Sequence, residues 1–526
     1  MTVATRQIPD IVLSQEPVFE RRAGDVEVRF YGRLYNQQVL HETDFSRADK
    51  AILSDLLNRL AGHFLVICQD RRRDVSYVAN DIFGNFRLYY RPVGEGLRFS
   101  DDWRLLAEEM RHEEGYLRPN ELERYYQERH SYTTGGHTLI TGLEKLMPGA
   151  LVTLSEEGWS EDIYFRAGVN HSNDDEHYRR RNLQLLTENI RQGIEPGRKT
   201  IVLFSGGIDS TLLCLILRRE RIPFTAVLIQ YDPPDRDNII DQRKARTVAD
   251  NLGLDMRVIS VSIREKLDTL KAAFRRHPFD RAFAVPYYGT LELLREEYGR
   301  CNLINGQSSD SIYCFGPSSK TIGGMIQRYI LSRFYARGHP SVNRAIAVVA
   351  ERLYRRRWRI DSNFRVPTGI PAYGQGLLDP EGYLPIIHTG QEWHSYRQYL
   401  QKIVSRIARQ LDFDDDAFRM YMKMMYLQGT SNVFPIESAG EYGHNPVLPF
   451  VDARLVHLRM QYQKEWKNLF RPKYVLEETL HREFSFNPAV IEHCRTAPIQ
   501  TGEVNRFNDV EKEVRREWDR LSEGLW

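Results

Sequence analysis

The strongest restriction on the fold is a series of short apolar runs between positions 200 and 304, which alternate with helical segments. The runs occupy 200–204, 225–229, 256–261 and 302–304. Each run is apolar on both faces, and strands of this kind occur in parallel sheets that helices cover on both sides. A helix with Leu183, Leu186 and Ile190 on one face precedes the first run and ends near Gly193. We therefore predict an α/β domain built on a parallel sheet.

The residues before position 166 follow a different pattern. Short β-branched or aromatic runs at 26–30, 64–68, 76–79 and 86–90 are separated by Gly, Asn and Asp turns, with a helical patch at 51–60. The polar stretch 168–177 contains His171 and His177, but its composition favours a linker over a metal site. We predict a first domain at 1–166, a linker at 167–176 and a second domain at 177–526, which is mainly helical from 317 to 434.

Composition excludes several classes of protein. The 526 residues include 73 Lys+Arg and 71 Asp+Glu, so the formal net charge of +2 lacks the excess of base that nucleic acids and anionic membranes attract. The 5 cysteines show no CxxC spacing, which argues against a disulfide framework or a zinc ribbon. The sequence shows no apolar run long enough to span a bilayer and no apolar signal segment at its start. We expect a soluble cytoplasmic protein without nucleic-acid or membrane partners.

The segment SGGIDS at 205–210 follows the first apolar run and precedes a helix that is expected to open at Thr211. Two glycines let the backbone approach an anion, and the helix N-terminus adds partial positive charge. A carboxylate repels phosphate unless it binds a cation, so Asp209 is interpreted as a ligand of Mg²⁺ carried by a nucleotide. A tight turn with a purely structural role is the alternative. The predicted anion contacts are Ser205, Gly206, Gly207 and Ser210.

The segment NGQSSDS at 305–311 directly follows the last apolar run. Ligands of open parallel sheets bind at the carboxyl ends of strands, so Asp310 is expected to meet Asp209 there and to share the Mg²⁺. Taken alone, this segment is equally compatible with a Gly/Ser turn, and Lys473 with a surface lysine. The stretch GPSSKT at 316–321 lacks the glycines of a phosphate-binding P-loop and is not interpreted as one.

SGGIDS resembles the pyrophosphate loop of the ATP pyrophosphatases, which cleave ATP between the α and β phosphates to adenylate a substrate. Most of the chain resembles the asparagine synthetase family. NGQSSD stands where that family has SGExxDE, and LPFVD at 448–452 followed by Lys473 looks like PFLD and a later K-x-x-L. Before the linker, YGRLYN at 31–36, NDIFGN at 80–85 and the PG turn at 148–149 look like NGEIYN, RDxxG and the family's PG turn. The resemblance implies a degenerate αββα sandwich of the Ntn type, similar to class II glutamine amidotransferases, followed by a parallel-sheet ATP-pyrophosphatase domain with a helical C-terminal part.

Departures from the family pattern in the first domain indicate that glutaminase activity is lost. A working amidotransferase of this class uses an N-terminal cysteine as its nucleophile. This sequence starts Met1-Thr2, and its first cysteine is Cys68 in a predicted strand. Tyr31 and Arg33 replace the Asn and Glu that bind glutamine, and we expect them to fill that pocket.

Departures in the second domain weaken aspartate as the substrate. Gln307 replaces a Glu that in asparagine synthetases helps to hold the amino acid and to position the amine, and an amide cannot act as a base. Ser311 follows Asp310 where the family has Glu, and Asn445 and Val447 stand where it has Glu-x-Arg. β-Lactam synthetases, carbapenam synthetases and lasso-peptide cyclases resemble the same family without the cysteine, and they close a ring by attack of an internal amine on the acyl adenylate.

The resemblance implies an AMP-forming carbon–nitrogen ligase of natural-product biosynthesis, which uses ATP and Mg²⁺ on a small-molecule or peptide carboxylate and works beside other enzymes of its pathway. Lys473 matches the lysine that neutralises the phosphates and the tetrahedral oxyanion, and Lys473 and Gln307 are the predicted catalytic residues. Positions that match the family's adenosine contacts are Leu203, Ile229, Asn305 and Gly306. Two alternatives stay open: an asparagine synthetase that uses free ammonia, and a non-catalytic scaffold homologue.

Overall fold

The computed structural model describes most, but not all, of the chain. The described residues are 10–130, 133, 135–166, 172, 174–232, 236–262, 278–279, 284–313, 391–412, 415–430, 433–462, 473–494, 516, 520–521 and 523–524. The predictions for 316–321, for the helical region before 391 and for the N-terminal Met1-Thr2 lie outside them.

The described strands form three sheets. The strands are β1 Asp10–Val12, β2 Phe19–Ala23, β3 Val26–Leu34, β4 Gly62–Asp70, β5 Val75–Asn80, β6 Tyr89–Val93, β7 Gly96–Ser100, β8 Glu144–Lys145, β9 Ala150–Ser155, β10 Gly158–Ile163, β11 Lys199–Leu203, β12 Thr225–Asp232, β13 Met256–Ser262, β14 Cys301–Ile304 and β15 Asn445–Val447.

Helices connect and cover these sheets, together with a short 3₁₀ turn at Phe45–Arg47. The described α-helices are α1 Gln38–Glu42, α2 Lys50–Arg59, α3 Trp103–Glu114, α4 Glu121–His130, α5 Asp175–Gly193, α6 Ile208–Arg219, α7 Arg236–Leu252, α8 Ala284–Tyr298, α9 Ser309–Tyr313, α10 Gln391–Gln410, α11 Asp415–Thr430, α12 Val433–Glu441, α13 Ala453–Gln461, α14 Tyr474–Phe484 and α15 Pro488–Cys494. None of the described helices combines the length and apolar character needed to cross a membrane.

The first 165 residues contain two mainly antiparallel sheets. One has the order β1-β7-β6-β8 and the other the order β10-β9-β5-β4-β3-β2, and β1–β7 is a parallel pair. Phe30 and Val66 from the larger sheet share one hydrophobic core with Leu97 and Phe99 from the smaller sheet. Helix α3 packs against β6 and β7 of the smaller sheet. This arrangement confirms the predicted sandwich of two sheets with helices.

One predicted strand of this region begins later than expected. The run at 86–90 was predicted to be extended throughout, but β6 begins at Tyr89. The buried carboxylate of Asp81 accepts backbone N–H groups of Phe83 and Phe86, each at 3.0 Å, and also that of Asn85. Because these N–H groups bond to a side chain, the segment forms a turn and cannot join a strand ladder.

The second part of the chain contains a five-stranded parallel sheet with the order β13-β12-β11-β14-β15. Its central strands are buried, as Ile201, Val227 and Leu303 show. Helix α6 packs against β11 and α7 against β12. The predicted α/β class and parallel sheet are confirmed.

Two helices begin earlier than the sequence predicted. Helix α5 begins at Asp175, inside the predicted linker, because the Asp174 carboxylate accepts the N–H groups of Glu176 and His177 at 2.9 and 3.0 Å. Helix α6 begins at Ile208, because the Thr211 N–H already donates to the Gly207 carbonyl at 2.9 Å. Asp209 and Ser210 therefore belong to the first helical turn. The boundaries at 166 and 177 stay predictions.

Candidate active site

The candidate site lies at the carboxyl ends of β11 and β14. These strands are parallel neighbours, with Ile201 opposite Leu303 and Val202 opposite Ile304. The segments that follow them, SGGIDS and NGQSSDS, therefore leave the sheet side by side. From β11 the sheet extends through β12 to β13 on one side and through β14 to β15 on the other. Ligands of open parallel sheets bind at such a topological switch point.

The two glycines of the loop have different roles. Gly206 has a φ of +66°, and a Cβ there would lie 2.6 Å from the Cα of Ala245 in α7. Gly206 is thus required by a left-handed backbone and by the close packing of α7, and its predicted contact with an anion stays a prediction. A Cβ on Gly207 would meet the Ser205 hydroxyl at 3.2 Å and the Lys244 ammonium at 4.0 Å. A Cβ on this second glycine would thus meet only side-chain atoms within 4 Å.

Hydroxyl and N–H groups surround the loop. The Gly207 N–H donates to Ser205 Oγ at 3.3 Å, and Ser210 Oγ donates to the Gly207 carbonyl at 3.2 Å. The two serine hydroxyls are 3.5 Å apart. No side chain caps the N-terminus of α6. Because the first N–H groups of a helix lack intrahelical partners, this terminus can donate to an anion.

The predicted carboxylates and the predicted lysine meet beside the loop. Lys473 forms an ion pair with Asp209 and a second one with Asp310, at 2.8 Å from Nζ to Oδ1. The Ser309 hydroxyl donates to the other oxygen of Asp209 at 2.7 Å. A Cβ on Gly306 would lie 3.1 Å from the Cβ of Asp209, so this glycine lets the two loops approach. The structure therefore brings Asp209, Asp310 and Lys473 together.

The two carboxylates differ in their surroundings. The Asp209 side chain is 16% exposed, whereas that of Asp310 is 77% exposed. Burial raises the pKa of Asp209, and the neighbouring charge of Asp310 acts in the same direction, while Lys473 opposes both. Two negative charges against one positive charge leave the trio with a net negative charge.

This donor set fits Mg²⁺. Magnesium in nucleotide sites is held by one or two carboxylates, and substrate phosphates and water complete its ligands. Asp209 and Asp310 supply two such carboxylates. Within the described residues there is no cluster of three or more His, Cys, Asp or Glu side chains that could hold a metal by themselves. A magnesium ion here would therefore depend on a nucleotide for further ligands.

Lys473 is held in place by its backbone. It has a left-handed conformation with a φ of 64° directly before α14, and its N–H donates to the Tyr313 carbonyl at 3.4 Å. The residue is 7% exposed. The alternative interpretation of Lys473 as a surface lysine is therefore wrong. A non-glycine residue in this conformation costs roughly 1–3 kcal/mol, which the surrounding contacts must offset.

The remaining predicted residues lie along the same edge of the sheet. Leu203 ends β11, Ile229 lies near the end of β12, and both are half-buried. Asn305 donates its N–H to the Val447 carbonyl at 3.1 Å, and its Oδ1 accepts the N–H of Gln307 at 2.7 Å. The assignments of Leu203, Ile229, Asn305 and Gly306 to adenosine and of Gln307 to catalysis stay predictions.

Sequence reasoning missed two residues of this site. Ser309 is fully buried and orients Asp209 through its hydroxyl. Lys244 lies on α7 and brings its ammonium to the loop, although it is distant from SGGIDS in the sequence. Ser309 belongs to NGQSSDS, so a search for donors to Asp209 could have found it. For Lys244 the sequence offers no comparable signal.

Arg33 connects the two regions of the chain. A cavity of about 670 Å³ lies beside Gly32, Arg33 and His63, and the expectation that Tyr31 and Arg33 fill the glutamine pocket stays a prediction. Arg33 donates to the Gly193 carbonyl at 2.5 Å and forms an ion pair with Glu195. Tyr31 is buried. The Arg33 cation thus ties the larger antiparallel sheet to the end of α5.

Comparison with protein families matches two regions of the chain. Residues 10–165 match the model of the glutamine amidotransferase domain, and residues 183–360 match the model of asparagine synthase. Comparison with curated proteins gave no match.

Three of the solved structures that match the chain are only remotely similar to it. NMN synthetase from Francisella tularensis is 16% identical over 27% of this chain and 58% of its own, with a TM-score of 0.20. Glutamine-dependent NAD+ synthetase from Acinetobacter baumannii, in complex with ADP, is 14% identical over 37% and 42%, with a TM-score of 0.19. Glutamine phosphoribosylpyrophosphate amidotransferase from B. subtilis is 12% identical over 60% and 60%, with a TM-score of 0.19. The chain thus spans less than two thirds of the length of each of these structures, and TM-scores of this size do not establish a common fold.

The two family matches follow each other in the order of the two structural regions, the paired antiparallel sheets and then the parallel sheet with its loop of glycine and serine. The chain therefore contains a region that matches the glutamine amidotransferase domain, followed by a region that matches asparagine synthase.

Proposed function

We propose that the protein is an ATP-dependent amide-forming ligase that adenylates a substrate carboxylate and captures the acyl adenylate with an amine of the same molecule. The observation that carries the proposal is the convergence of Asp209, Asp310 and Lys473 beside the SGGIDS loop. Two carboxylates and a buried lysine next to a helix N-terminus suit a metal-bound polyphosphate. A scaffold protein would have no need to hold like charges together in this way.

In the first half-reaction, a carboxylate oxygen of the substrate attacks the α-phosphorus of ATP. The bond between the α-phosphorus and the bridging oxygen breaks, and pyrophosphate leaves with the electron pair. The N–H groups at the start of α6 and the hydroxyls of Ser205 and Ser210 would hold the departing phosphates. Asp209 and Asp310 would hold Mg²⁺, which neutralises phosphate charge when bound.

In the second half-reaction, the amine nitrogen attacks the acyl carbon, loses a proton, and AMP leaves. The substrate thereby loses one molecule of water while ATP becomes AMP and pyrophosphate. Lys473 provides a cation for the negative charge that develops on the acyl oxygen, and one such donor changes rates by roughly 10²–10³-fold. Gln307 carries an amide and cannot accept the amine's proton, so the proton goes to another group or to water.

An internal amine is favoured by the residues of the N-terminal region. Tyr31 and Arg33 replace the glutamine-binding residues of the family pattern, and the Arg33 cation is engaged with Gly193 and Glu195. These replacements support an amine that arrives with the substrate and not from glutamine. The product would then be a ring, either a macrolactam or a β-lactam, as expected for natural-product biosynthesis.

Lys473→Met tests the two half-reactions separately, because methionine keeps much of the length and removes the charge. The substrates to supply are peptides with a side-chain carboxylate and an unblocked α-amine, and mass spectrometry would report loss of one water. We expect the variant to exchange labelled pyrophosphate into ATP and to form product roughly 10²–10³-fold more slowly. Lys199→Met, at the exposed start of β11, is the matched control.

Other outcomes would revise the proposal. Loss of pyrophosphate exchange together with product would place Lys473 in nucleotide binding. Wild-type rates of amide formation would show that Lys473 has no catalytic part. AMP release with aspartate and ammonium, but with none of the peptides, would favour the ammonia-dependent asparagine synthetase instead.

A further inference from the structure

Helix α7 lies directly against the SGGIDS loop. A Cβ on Gly206 would lie 3.0 Å from the nitrogen of Ala245 and 3.2 Å from the carbonyl carbon of Lys244, so two backbones touch at this point. Contacts this close leave no room for a side chain on the loop. The position of Lys244 is therefore fixed relative to the loop by backbone packing.

The Lys244 side chain extends from this contact towards Gly207. Its Nζ lies 4.0 Å from the position that a Cβ on Gly207 would take, and the residue is half-buried. Its charge also acts on Cys494, whose pKa is raised by burial and pulled back by the Thr211 hydroxyl and by Lys244. The ammonium thus lies close to the loop at Gly207.

Asp209, Asp310 and Lys473 together carry a net negative charge, so an anion bound beside them requires a further cation. Lys473 is paired with both Asp209 and Asp310, so one positive charge faces two negative charges. A pyrophosphate anion next to this trio would be repelled unless further positive charge is close. Mg²⁺ and the N–H groups of α6 supply part of it, and a lysine beside Gly207 can supply more.

We infer that Lys244 is a phosphate-binding lysine of this site, which holds the terminal phosphates of the nucleotide and the pyrophosphate they become. The inference rests on the proposed function, because it requires a polyphosphate at the loop. It assigns Lys473 to the carboxylates and the reacting acyl group, and Lys244 to the phosphates next to Gly207. Lys244 would then bind the departing group directly.

The chain provides a matched control on the same helix. Arg246 lies two residues further along α7, is exposed and carries the same charge. Arg246→Met removes one positive charge from α7 without removing the one near Gly207. Lys244→Arg keeps the charge at the loop and tests whether charge or shape is needed.

The experiment measures binding of magnesium pyrophosphate to the full chain by calorimetry, and binding of adenosine, which has no phosphate, to the same samples. We expect Lys244→Met to weaken pyrophosphate binding by about tenfold, as expected for one charged hydrogen bond. Arg246→Met should change it by less than about twofold, since exposed charges contribute little. Lys244→Arg should restore most of the affinity, and adenosine binding should not change in any variant.

Each other result has a definite meaning. Equal pyrophosphate affinity for Lys244→Met and Arg246→Met would overturn the inference and leave the proposed function intact. Loss of both pyrophosphate and adenosine binding in Lys244→Met and Lys244→Arg would show that Lys244 supports the fold, which also overturns it. Failure of the wild-type chain to bind magnesium pyrophosphate would overturn both the inference and the proposed function.

Discussion

The N-terminal half and the parallel-sheet half of the protein both contain motifs that resemble the family pattern, but the polar side chains of these motifs make different contacts. In the N-terminal half, polar groups of the motifs bond to the protein itself: Asp81 accepts backbone N–H groups of its own turn, and Arg33 reaches the Gly193 carbonyl. At the edge of the parallel sheet, Asp209, Asp310 and Lys473 converge on each other beside a loop with uncapped N–H donors. A motif can thus persist because the fold needs it, and only the mutual geometry of its side chains indicates chemistry.

Aspartate-to-asparagine changes in both halves would sharpen this comparison most. We expect Asp209→Asn and Asp310→Asn each to lower adenylation by at least about 10²-fold, because a metal ligand that stabilises phosphate charge is lost. Asp81→Asn should instead lower the free energy of unfolding by roughly 1–3 kcal/mol, because an amide has one acceptor oxygen and turns an NH₂ group towards the backbone donors. Pyrophosphate release and denaturant unfolding are the two measurements.

Asp250→Asn, on the exposed face of α7, is the control for loss of one acidic residue. The contrast between the halves would fail if Asp81→Asn slowed adenylation as much as Asp209→Asn at equal folded concentration. Pyrophosphate release that survives Asp209→Asn or Asp310→Asn would exclude the proposed Mg²⁺ ligands.

Glycine-to-alanine changes would show that the loop is also a structural element. Gly206 and Gly253 both have a positive φ, but a Cβ on Gly206 would lie 2.6 Å from Ala245 whereas one on Gly253 would meet nothing within 4 Å. We expect Gly206→Ala to cost roughly 1–3 kcal/mol of unfolding free energy beyond the cost of Gly253→Ala, because it adds a backbone clash to the same strain. Equal Tm values for the two variants would contradict the close packing of α7.

Most of the fold follows from patterns in the sequence. The apolar runs at 200–204 and 302–304 become neighbouring parallel strands, and the rule that ligands bind at strand carboxyl ends brings Asp209 to Asp310. The burial of Lys473 could not be predicted, because it depends on a left-handed backbone and on the Tyr313 carbonyl.

The rest depends on contacts between distant segments. Gly206 is required because α7 packs closely against it, and no local sequence pattern predicts this packing. The start of α6 differs by one turn because Gly207 accepts the first helical hydrogen bond, and the later start of β6 depends on Asp81. The ion pair of Arg33 with Glu195 likewise depends on a partner far away in the sequence.

Acid pH tests the buried histidines that lie outside the parallel-sheet edge. Burial lowers the pKa of His63 to about 3 and that of His457 to about 4, in each case below the ordinary 6.5. Between these values and pH 6.5 the unfolded chain binds more protons than the folded chain, so stability is lost as the pH falls. We expect up to about 1.4 kcal/mol per pH unit for each histidine. His457→Gln should reduce the slope of unfolding free energy against pH between pH 6 and 5. An unchanged slope would contradict the lowered pKa of His457 in the folded protein.

The smallest expected effect is the response to glutamine, which should be none. Arg33 stands where the family has a glutamine-binding carboxylate, and its cation is held by the Gly193 carbonyl and Glu195. A glutamine side chain would therefore meet a guanidinium that already donates to Gly193 and Glu195, and the proposed internal amine would make glutamine unnecessary as a source of ammonia. Added glutamine should leave the rate of AMP release unchanged, and a coupled assay should detect glutamate only at background. Glutamate above background that disappears in Thr2→Ala would show that the N-terminal half is still an amidotransferase. The N-terminal half would then supply ammonia to the parallel-sheet half, and both halves would be catalytic.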